Sequence, residues 1–180
     1  MTGQRVPGNP CLTEKPEDRE TRRQRNERKK DNVYKTILVP LDGSDLAASI
    51  LDQVGALARG YGARLLLMTV GSSLPASLPR AQDIQITLTF QAEAYLERIR
   101  EILASHGLHV ETTVCIGDPA CEILDTAERH QVDLIIINSR GGAGAPSPFL
   151  GSVAAKVAGA SAVPVLVLHA TADSKTISGN

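Results

Sequence analysis

Short apolar runs alternate with amphipathic helical stretches along most of this 180-residue chain. The stretches between the apolar runs carry apolar residues at helical spacing, so they are predicted helices. Strands that alternate with helices form βαβ units, whose crossovers are right-handed. We therefore predict an α/β fold with a five-stranded parallel doubly wound sheet and helices on both faces. We take the strand order as 3-2-1-4-5, which places the polar ends of the first and fourth strands side by side. The predicted strands cover residues 36–41, 63–70, 108–116, 134–137 and 163–168.

Glycine, proline and capping residues set the predicted helix ends. Ser44 is a good N-cap for the first helix, and Gly60 and Gly62 are expected to stop it. Gly107 is the expected C′ residue of a long second helix over 84–105. Asp118 caps a third helix and places Pro119 at its first position. The expected apolar face of the long helix consists of Leu88, Ala92, Tyr95, Ile99, Ile102 and Leu103.

Composition excludes several classes of function. Aromatic residues make up only 3% and Trp is absent, so base stacking on single-stranded nucleic acid is poorly supported. A net charge of −1 gives no global reason to expect nucleic acid or an anionic membrane. An odd number of cysteines, Cys11, Cys115 and Cys121, fits reduced thiols. No apolar run is long enough for a transmembrane helix, and we see no secretory signal. We expect a cytoplasmic protein.

Charge divides the chain into three predicted parts. Residues 1–32 hold nine Lys or Arg and six Asp or Glu with few apolar side chains, so we expect a disordered extension. Its basic cluster, Arg22–Lys30, is a solvated tail or a contact for RNA or another acidic partner. Residues 33–170 form the predicted α/β domain, and residues 171–180 form a flexible tail.

The stretch from Asp133 to Ser152 is the main candidate for a binding site. Four apolar residues, Leu134–Ile137, break abruptly into Asn138 and a Gly-rich loop that contains two prolines. The loop ends at Gly151 and Ser152, directly before a predicted helix. Backbone amides of a Gly-rich loop and a helix start bind phosphate well. A phosphate-binding turn and a simple flexible connection both fit this composition.

The first strand ends at Asp42, which the predicted strand order places beside the end of the fourth strand. Ligands of doubly wound sheets bind at such a switch point. An acidic side chain opposite a phosphate site suits a nucleotide's ribose and phosphates, although Asp42 is equally well explained as a turn residue beside Ser44. Neither a P-loop motif nor a G-x-G-x-x-G turn is present.

Three segments resemble the universal stress protein family: KTILVPLDGSDLA, GDPACEIL and LGSVAAKVAGASAVPVLVL. The resemblance covers about residues 34–169. Nucleotide-binding members have the motif G-x-x-G-x9-G-[ST]. Gly141, Gly151 and Ser152 fit it, and Asn138 replaces the first glycine, in a turn that Asn tolerates.

The resemblance implies the roles of several residues. Asp42 would contact the ribose or the adjacent phosphate, and the backbone of Val70 would hydrogen-bond the adenine edge. Ser152 has a plain N-cap role as its alternative. The ligand implied is ATP, with or without Mg²⁺, and the implied assembly is a homodimer through the last strand, Val163–Leu168. The phosphate site would comprise Asn138, Arg140, Gly141, Gly142, Gly151 and Ser152.

We predict an ATP-binding regulator of the stress response. The alternatives are a homodimeric interaction protein that does not bind nucleotide and an adenylate-dependent enzyme. No catalytic set is recognisable, so we expect at most slow ATP hydrolysis or autophosphorylation. His106, His109 and Cys115 form no metal set, and both histidines are expected to be exposed. Cys115 and Cys121 are predicted to be small buried residues.

Overall fold

The computed structural model describes residues 33–44, 50–75, 77–139 and 150–169. The predicted extension (1–32), the predicted tail (171–180), Arg140, Gly141 and Gly142 lie outside these ranges. In chain order the elements are β1 (Thr36–Pro40), α1 (Leu51–Tyr61), β2 (Arg64–Gly71), α2 (Ala81–Ser105), β3 (Val110–Ile116), α3 (Pro119–Arg129), β4 (Leu134–Asn138), α4 (Ser152–Ala160) and β5 (Val165–Leu168).

The strands form one parallel sheet in the order β3-β2-β1-β4-β5, which confirms the predicted fold. Leu38 of β1 lies opposite Leu66 of β2 and Ile135 of β4. The central strands β1 and β4 are almost wholly buried because helices cover both of their faces. The edge strand β3 is much more exposed, as its alternating pattern predicts.

Two apolar layers hold the helices against the sheet. Alternate side chains of each strand point to opposite faces, so each strand contributes to both layers. One layer contains Ile37 and Ile136 and packs against Val54 of α1 and Leu103 of α2. The other contains Leu38 and packs against α3 and α4, through side chains such as Ile123 and Val157. Helices therefore lie on both faces of the sheet.

Two of the predicted helix ends are confirmed in detail. Asp118 Oδ1 accepts the backbone N–H groups of Ala120 and Cys121, both at 3.1 Å, with Pro119 at the first helical position. Gly107 follows α2 with φ +78°, and its N–H donates to the carbonyl of Ala104. A positive φ is the backbone state that glycine adopts at low cost.

Three details of the helices were predicted wrongly. Gly60 lies inside α1, and Gly62 alone ends it with φ 62°. The helix α2 begins at Ala81, before the predicted start. On α2, Leu88 is 45% exposed, whereas Leu96, absent from the predicted face, is fully buried. The first half of α2 carries apolar residues on more than one side, so spacing alone did not identify the packed face.

The two cysteines of this region differ from the prediction of buried thiols. Cys121 is exposed, because it lies in the first turn of α3, away from the buried side chains of Ala120 and Ile123. Cys115 of β3 is half-buried. His106 and His109 are exposed, as predicted. None of the described helices is both long and apolar enough to cross a membrane.

Candidate functional site

The candidate site lies at the carboxyl ends of β1 and β4, where the strand order of the sheet reverses. From β1 the chain continues to β2 on one side, and β4 lies on the other. At the opposite end of the sheet, Asp133 Oδ2 accepts the backbone N–H groups of Lys35 (2.8 Å) and Thr36 (2.9 Å). These bonds fix β4 against β1, so the relative position of their carboxyl ends is also fixed.

Ser139 follows β4 directly and is held on two sides. Its N–H donates to the carbonyl oxygen of Leu168 in β5, at 2.7 Å. Its own carbonyl oxygen accepts the N–H of Gly151, at 2.8 Å. Ser139, directly after β4, and Gly151, directly before α4, are therefore hydrogen-bonded to each other, and α4 starts beside the end of β4.

The N-terminus of α4 has no side-chain cap. Gly151 occupies the N-cap position with extended backbone (φ −60°, ψ 152°), and Ser152 is the first helical residue. The predicted alternative role of Ser152 as an N-cap is therefore not observed. The first intrahelical bond runs from Ala155 N–H to the carbonyl of Gly151, at 2.8 Å. The N–H groups of Ser152, Val153 and Ala154 precede that bond, and such groups together with the helix dipole attract an anion.

The Ser139 hydroxyl adds a polar group at the same corner. Ser139 is only 1% exposed, and its Oγ has no hydrogen-bond partner within the described ranges. The hydroxyl of Thr69, at the carboxyl end of β2, is likewise buried without a partner there. A buried hydroxyl without a partner raises the free energy of the folded protein. Both hydroxyls lie at the carboxyl ends of the strands, where ligands of doubly wound sheets bind, so they are candidates for contact with a polar ligand.

Asn138, the last residue of β4, is 7% exposed. Along β4 it follows Leu134 and Ile136 by the strand alternation, so its side chain belongs to the face that α1 and α2 cover. The helix α4 packs on the other face. The side chain that replaces the motif's first glycine is therefore directed away from the start of α4.

Asp42 lies just beyond β1, in a turn with Gly43 (φ +81°). Its Oδ1 accepts the backbone N–H of Ser44 (3.0 Å) and the Ser44 hydroxyl (2.5 Å). The predicted turn residue beside Ser44 is thus observed. Ser44 was predicted to cap the first helix, whose described part begins at Leu51 with Ile50 as its N-cap. The Asp42 side chain is exposed and held in one orientation by these bonds.

Val70 lies near the end of β2, past the end of β1. The last register pair between the two strands joins Pro40 to Met68, and the last bond runs from Leu41 N–H to the Met68 carbonyl, at 2.7 Å. Successive residues of a strand direct their backbone groups to alternate edges. The N–H and C=O of Val70 therefore point to the side of β2 on which β1 lies, as those of Met68 do. Val70 lies beyond the end of β1, so β1 does not pair with these groups.

Two helices that flank this corner are linked by charge. Lys156 Nζ of α4 lies 3.8 Å from Asp118 Oδ2, at the N-cap of α3. Hydrogen bonds from Cys121, and the Lys156 charge, lower the pKa of Asp118 below its usual value. The hydrogen bond to Asp118 and its negative charge raise the pKa of the Cys121 thiol. A raised pKa reduces the fraction of this exposed thiol that is present as the reactive thiolate.

The structure thus brings Asn138, Gly151 and Ser152 to one corner, with Asp42 and Val70 at the ends of the next two strands. Arg140, Gly141 and Gly142 lie outside the described residues. Sequence reasoning missed Ser139, although its position inside the motif was the available signal. Within the described ranges, no group of three or more His, Cys, Asp or Glu side chains is arranged to hold a metal.

Comparison with known protein families shows the family to which this chain belongs. The model of the universal stress protein family matches residues 33–169. The chain belongs to the universal stress protein family. It is 34% identical over 148 residues to the universal stress protein YxiE of Bacillus subtilis, covering 76% of this chain and 100% of that protein.

Solved structures of the family have the same fold. Protein MJ0577 of Methanocaldococcus jannaschii aligns with a TM-score of 0.68 and 30% identity, covering 77% of this chain and 98% of that one. A universal stress protein in complex with cAMP aligns with a TM-score of 0.58 and 25% identity, covering 77% of this chain and 98% of that one.

Proposed function

We propose that this universal stress protein binds ATP at the carboxyl ends of β1 and β4 and acts as a regulator of the stress response. The observation that carries the proposal is the corner formed by Ser139 and α4. There an uncapped helix N-terminus meets a buried hydroxyl that lacks a partner within the described residues. The helix N–H groups and the dipole attract negative charge, and the hydroxyl donates a further hydrogen bond.

The proposal gives a role to every predicted site residue except Asn138, whose side chain belongs to the other face of the sheet. The phosphates occupy the start of α4, with Gly151 giving close backbone approach and Ser152 adding its N–H and hydroxyl. Asp42 accepts hydrogen bonds from the ribose, and the Val70 backbone pairs with the adenine edge. Arg140, Gly141 and Gly142 complete the phosphate site, and Mg²⁺ reaches the site with the ATP phosphates. The reported cAMP complex of a family member supports an adenine nucleotide as the ligand.

The proposed regulator is a cytoplasmic homodimer joined through β5. This strand lies at the edge of the sheet, pairs with β4, and has four half-buried apolar residues. An apolar edge strand is usually paired or covered in a native protein. The segment Val163–Leu168 therefore suits a second copy of the chain, which would join two nucleotide sites in one particle.

Calorimetric titration of ATP into nucleotide-free protein, with and without Mg²⁺, tests the ligand. Asp42→Ala removes the proposed ribose contact, and Asp125→Ala is the matched control because Asp125 is an exposed carboxylate on α3. We expect saturable binding that is lost or much weakened in Asp42→Ala and retained in Asp125→Ala. Titration with cAMP and GTP in parallel establishes whether adenine and the full triphosphate are both required.

The alternative function is a homodimeric interaction protein that does not bind nucleotide. Two departures from the motif favour it: Asn138 replaces the first glycine, and the nine-residue spacer contains Pro146 and Pro148. In that case ATP would give neither heat nor a thermal shift, while analytical ultracentrifugation would still show a dimer. Rapid release of ADP by the intact protein would instead support an enzyme.

A further inference from the structure

A groove of about 500 Å³ runs along the sheet edge, between the outward side of α2 and β3. Its helix wall includes Phe90, Glu93 and Glu97, and its strand wall includes Thr112 and Val114. On the sheet, β3 is separated from β1 by β2, so the groove is distinct from the proposed nucleotide corner.

The strand wall has backbone groups available for pairing. Among the described strands, β3 pairs only with β2. The bonds between them involve the carbonyl of His109, which accepts Leu65 N–H, and the N–H of Gly117, which donates to Gly71. By the alternation along a strand, Thr112 and Val114 direct their N–H and C=O groups to the open edge. An open edge of this kind can accept an added strand.

The helix wall changes from apolar to acidic along its length. Phe90, in this wall, is 66% exposed, and Ile86, which lies one turn before the groove on the same side of α2, is 56% exposed. Glu93 and Glu97 continue that side over the next two turns. Glu97 is paired with Arg100, whereas Glu93 has no hydrogen bond or ion pair within the described part of the chain. The groove therefore offers an apolar end and a carboxylate that is available to a cation.

This charge selects the kind of occupant. A second copy of the chain would present the same exposed carboxylate at Glu93, and two such carboxylates brought close together would repel each other. The basic side chains of a segment from another protein would instead donate charge-assisted hydrogen bonds to Glu93.

We propose that this groove binds an extended, basic segment of another protein, which adds to the sheet beside β3. The backbone of the segment pairs with Thr112 and Val114. Its inward side chains place an aliphatic residue on Phe90 and a Lys or Arg beside Glu93. Main-chain pairing supplies the affinity, and the apolar and acidic walls supply the specificity. The proposal does not depend on nucleotide binding.

Fluorescence anisotropy of the full chain with labelled synthetic peptides tests the proposal. The probes are LTLTKTKT and its reverse, which cover both strand directions, with LTLTETET as the acidic control. We expect saturable binding of one basic peptide and at least tenfold weaker binding of the acidic one. Raised salt should weaken the basic complex because the ion pairs are solvent-accessible.

Three variants assign the binding to the groove. Glu93→Gln with Glu97→Gln removes both charges, and Phe90→Ser removes the apolar contact; each should weaken binding at least fivefold. Thr112→Pro removes an N–H that faces the open edge, where proline is tolerated, and should abolish pairing. Asp125→Ala, a charge change on α3, should have no effect. If Thr112→Pro does not fold by circular dichroism, the two side-chain variants decide the question.

Several results would overturn the proposal. These are the absence of binding by both basic peptides, equal binding of the acidic peptide, and binding that the groove variants leave unchanged. Sedimentation provides a further check: a dimer that dissociates in Phe90→Ser and is strengthened in Glu93→Gln would assign this edge to a second copy of the chain.

Discussion

The backbone N–H of Gly151 donates a 2.8 Å hydrogen bond to the carbonyl oxygen of Ser139. Ser139 is also tied to β5, because its own N–H donates to Leu168 at 2.7 Å. The start of α4 is thus anchored to the sheet rather than placed by a free connection. An anion at this helix start would contact elements whose relative position is already fixed, so binding would require little reorganisation.

Ser139→Ala should have opposite effects on stability and on ATP affinity. The buried hydroxyl has no partner within the described residues, so its removal should stabilise the free protein by about 1 kcal/mol. In the proposed complex the hydroxyl donates to a phosphate, and its loss should weaken ATP binding about tenfold. Urea unfolding and calorimetric titration measure the two effects separately.

The control for this prediction is Ser105→Ala, at the end of α2, where the hydroxyl donates to the carbonyl of Ile102 at 2.7 Å. That variant should leave ATP affinity unchanged. If Ser139→Ala destabilised the protein and left affinity unchanged, the hydroxyl would have a structural partner, and the phosphate role would be wrong.

Ser152→Asp should separate helix stability from anion binding. A carboxylate in the first turn of α4 interacts favourably with the helix dipole, by about 0.5 kcal/mol. The same charge would repel a phosphate at the helix start. We expect a slightly raised urea midpoint and loss of detectable ATP binding. Ser105→Asp, which places the same charge at the end of α2, should lower the midpoint slightly and leave binding intact.

Asn138→Gly restores the motif's first glycine, yet it should not tighten ATP binding. Asn138 is buried on the face that α1 and α2 cover, away from α4. The substitution removes a buried side chain and adds backbone freedom within a strand, at a cost of about 1 kcal/mol. Thermal unfolding and calorimetry should show lower stability with unchanged affinity. A clear gain in affinity would place the side chain in the ligand's path.

Most of the fold could be predicted from the sequence because its signals are local. Continuous aliphatic runs such as Leu134–Ile137 occur where a strand is covered on both faces, and Asp118 with Pro119 gives an unambiguous helix start. These two features depend on few long-range contacts. The strand order was instead an assumption that placed the polar ends of the first and fourth strands side by side, and the sheet has that order.

The errors occurred where tertiary packing decides. Leu88 and Leu96 are chemically alike, and only the position of α2 on the sheet makes one exposed and the other buried. The direction of the Asn138 side chain likewise depends on how β4 is placed in the sheet, and the sequence motif carries no information about that placement. Ser139 lies inside the motif, but its value as a site residue became visible only through its burial and its missing partner.

Asp118→Asn should change both the acid stability of the protein and the reactivity of Cys121. The pKa of Asp118 is lowered in the folded protein, so its charge contributes stability above its usual pKa of about 3.9. That contribution is lost as the pH falls through the lowered pKa. Asn still caps α3 but carries no charge. Wild-type stability should therefore exceed that of the variant at pH 7, and the difference should shrink in acid.

The thiol gives an independent readout of the same interaction. The hydrogen bond and charge of Asp118 raise the pKa of Cys121, and the variant removes the charge. We expect faster alkylation of Cys121 by iodoacetamide near pH 8 in Asp118→Asn, because a larger fraction is thiolate. Peptide mapping separates Cys121 from Cys115, whose rate should not change. Equal alkylation of Cys121 in both proteins would show that Asp118 does not control this thiol in solution.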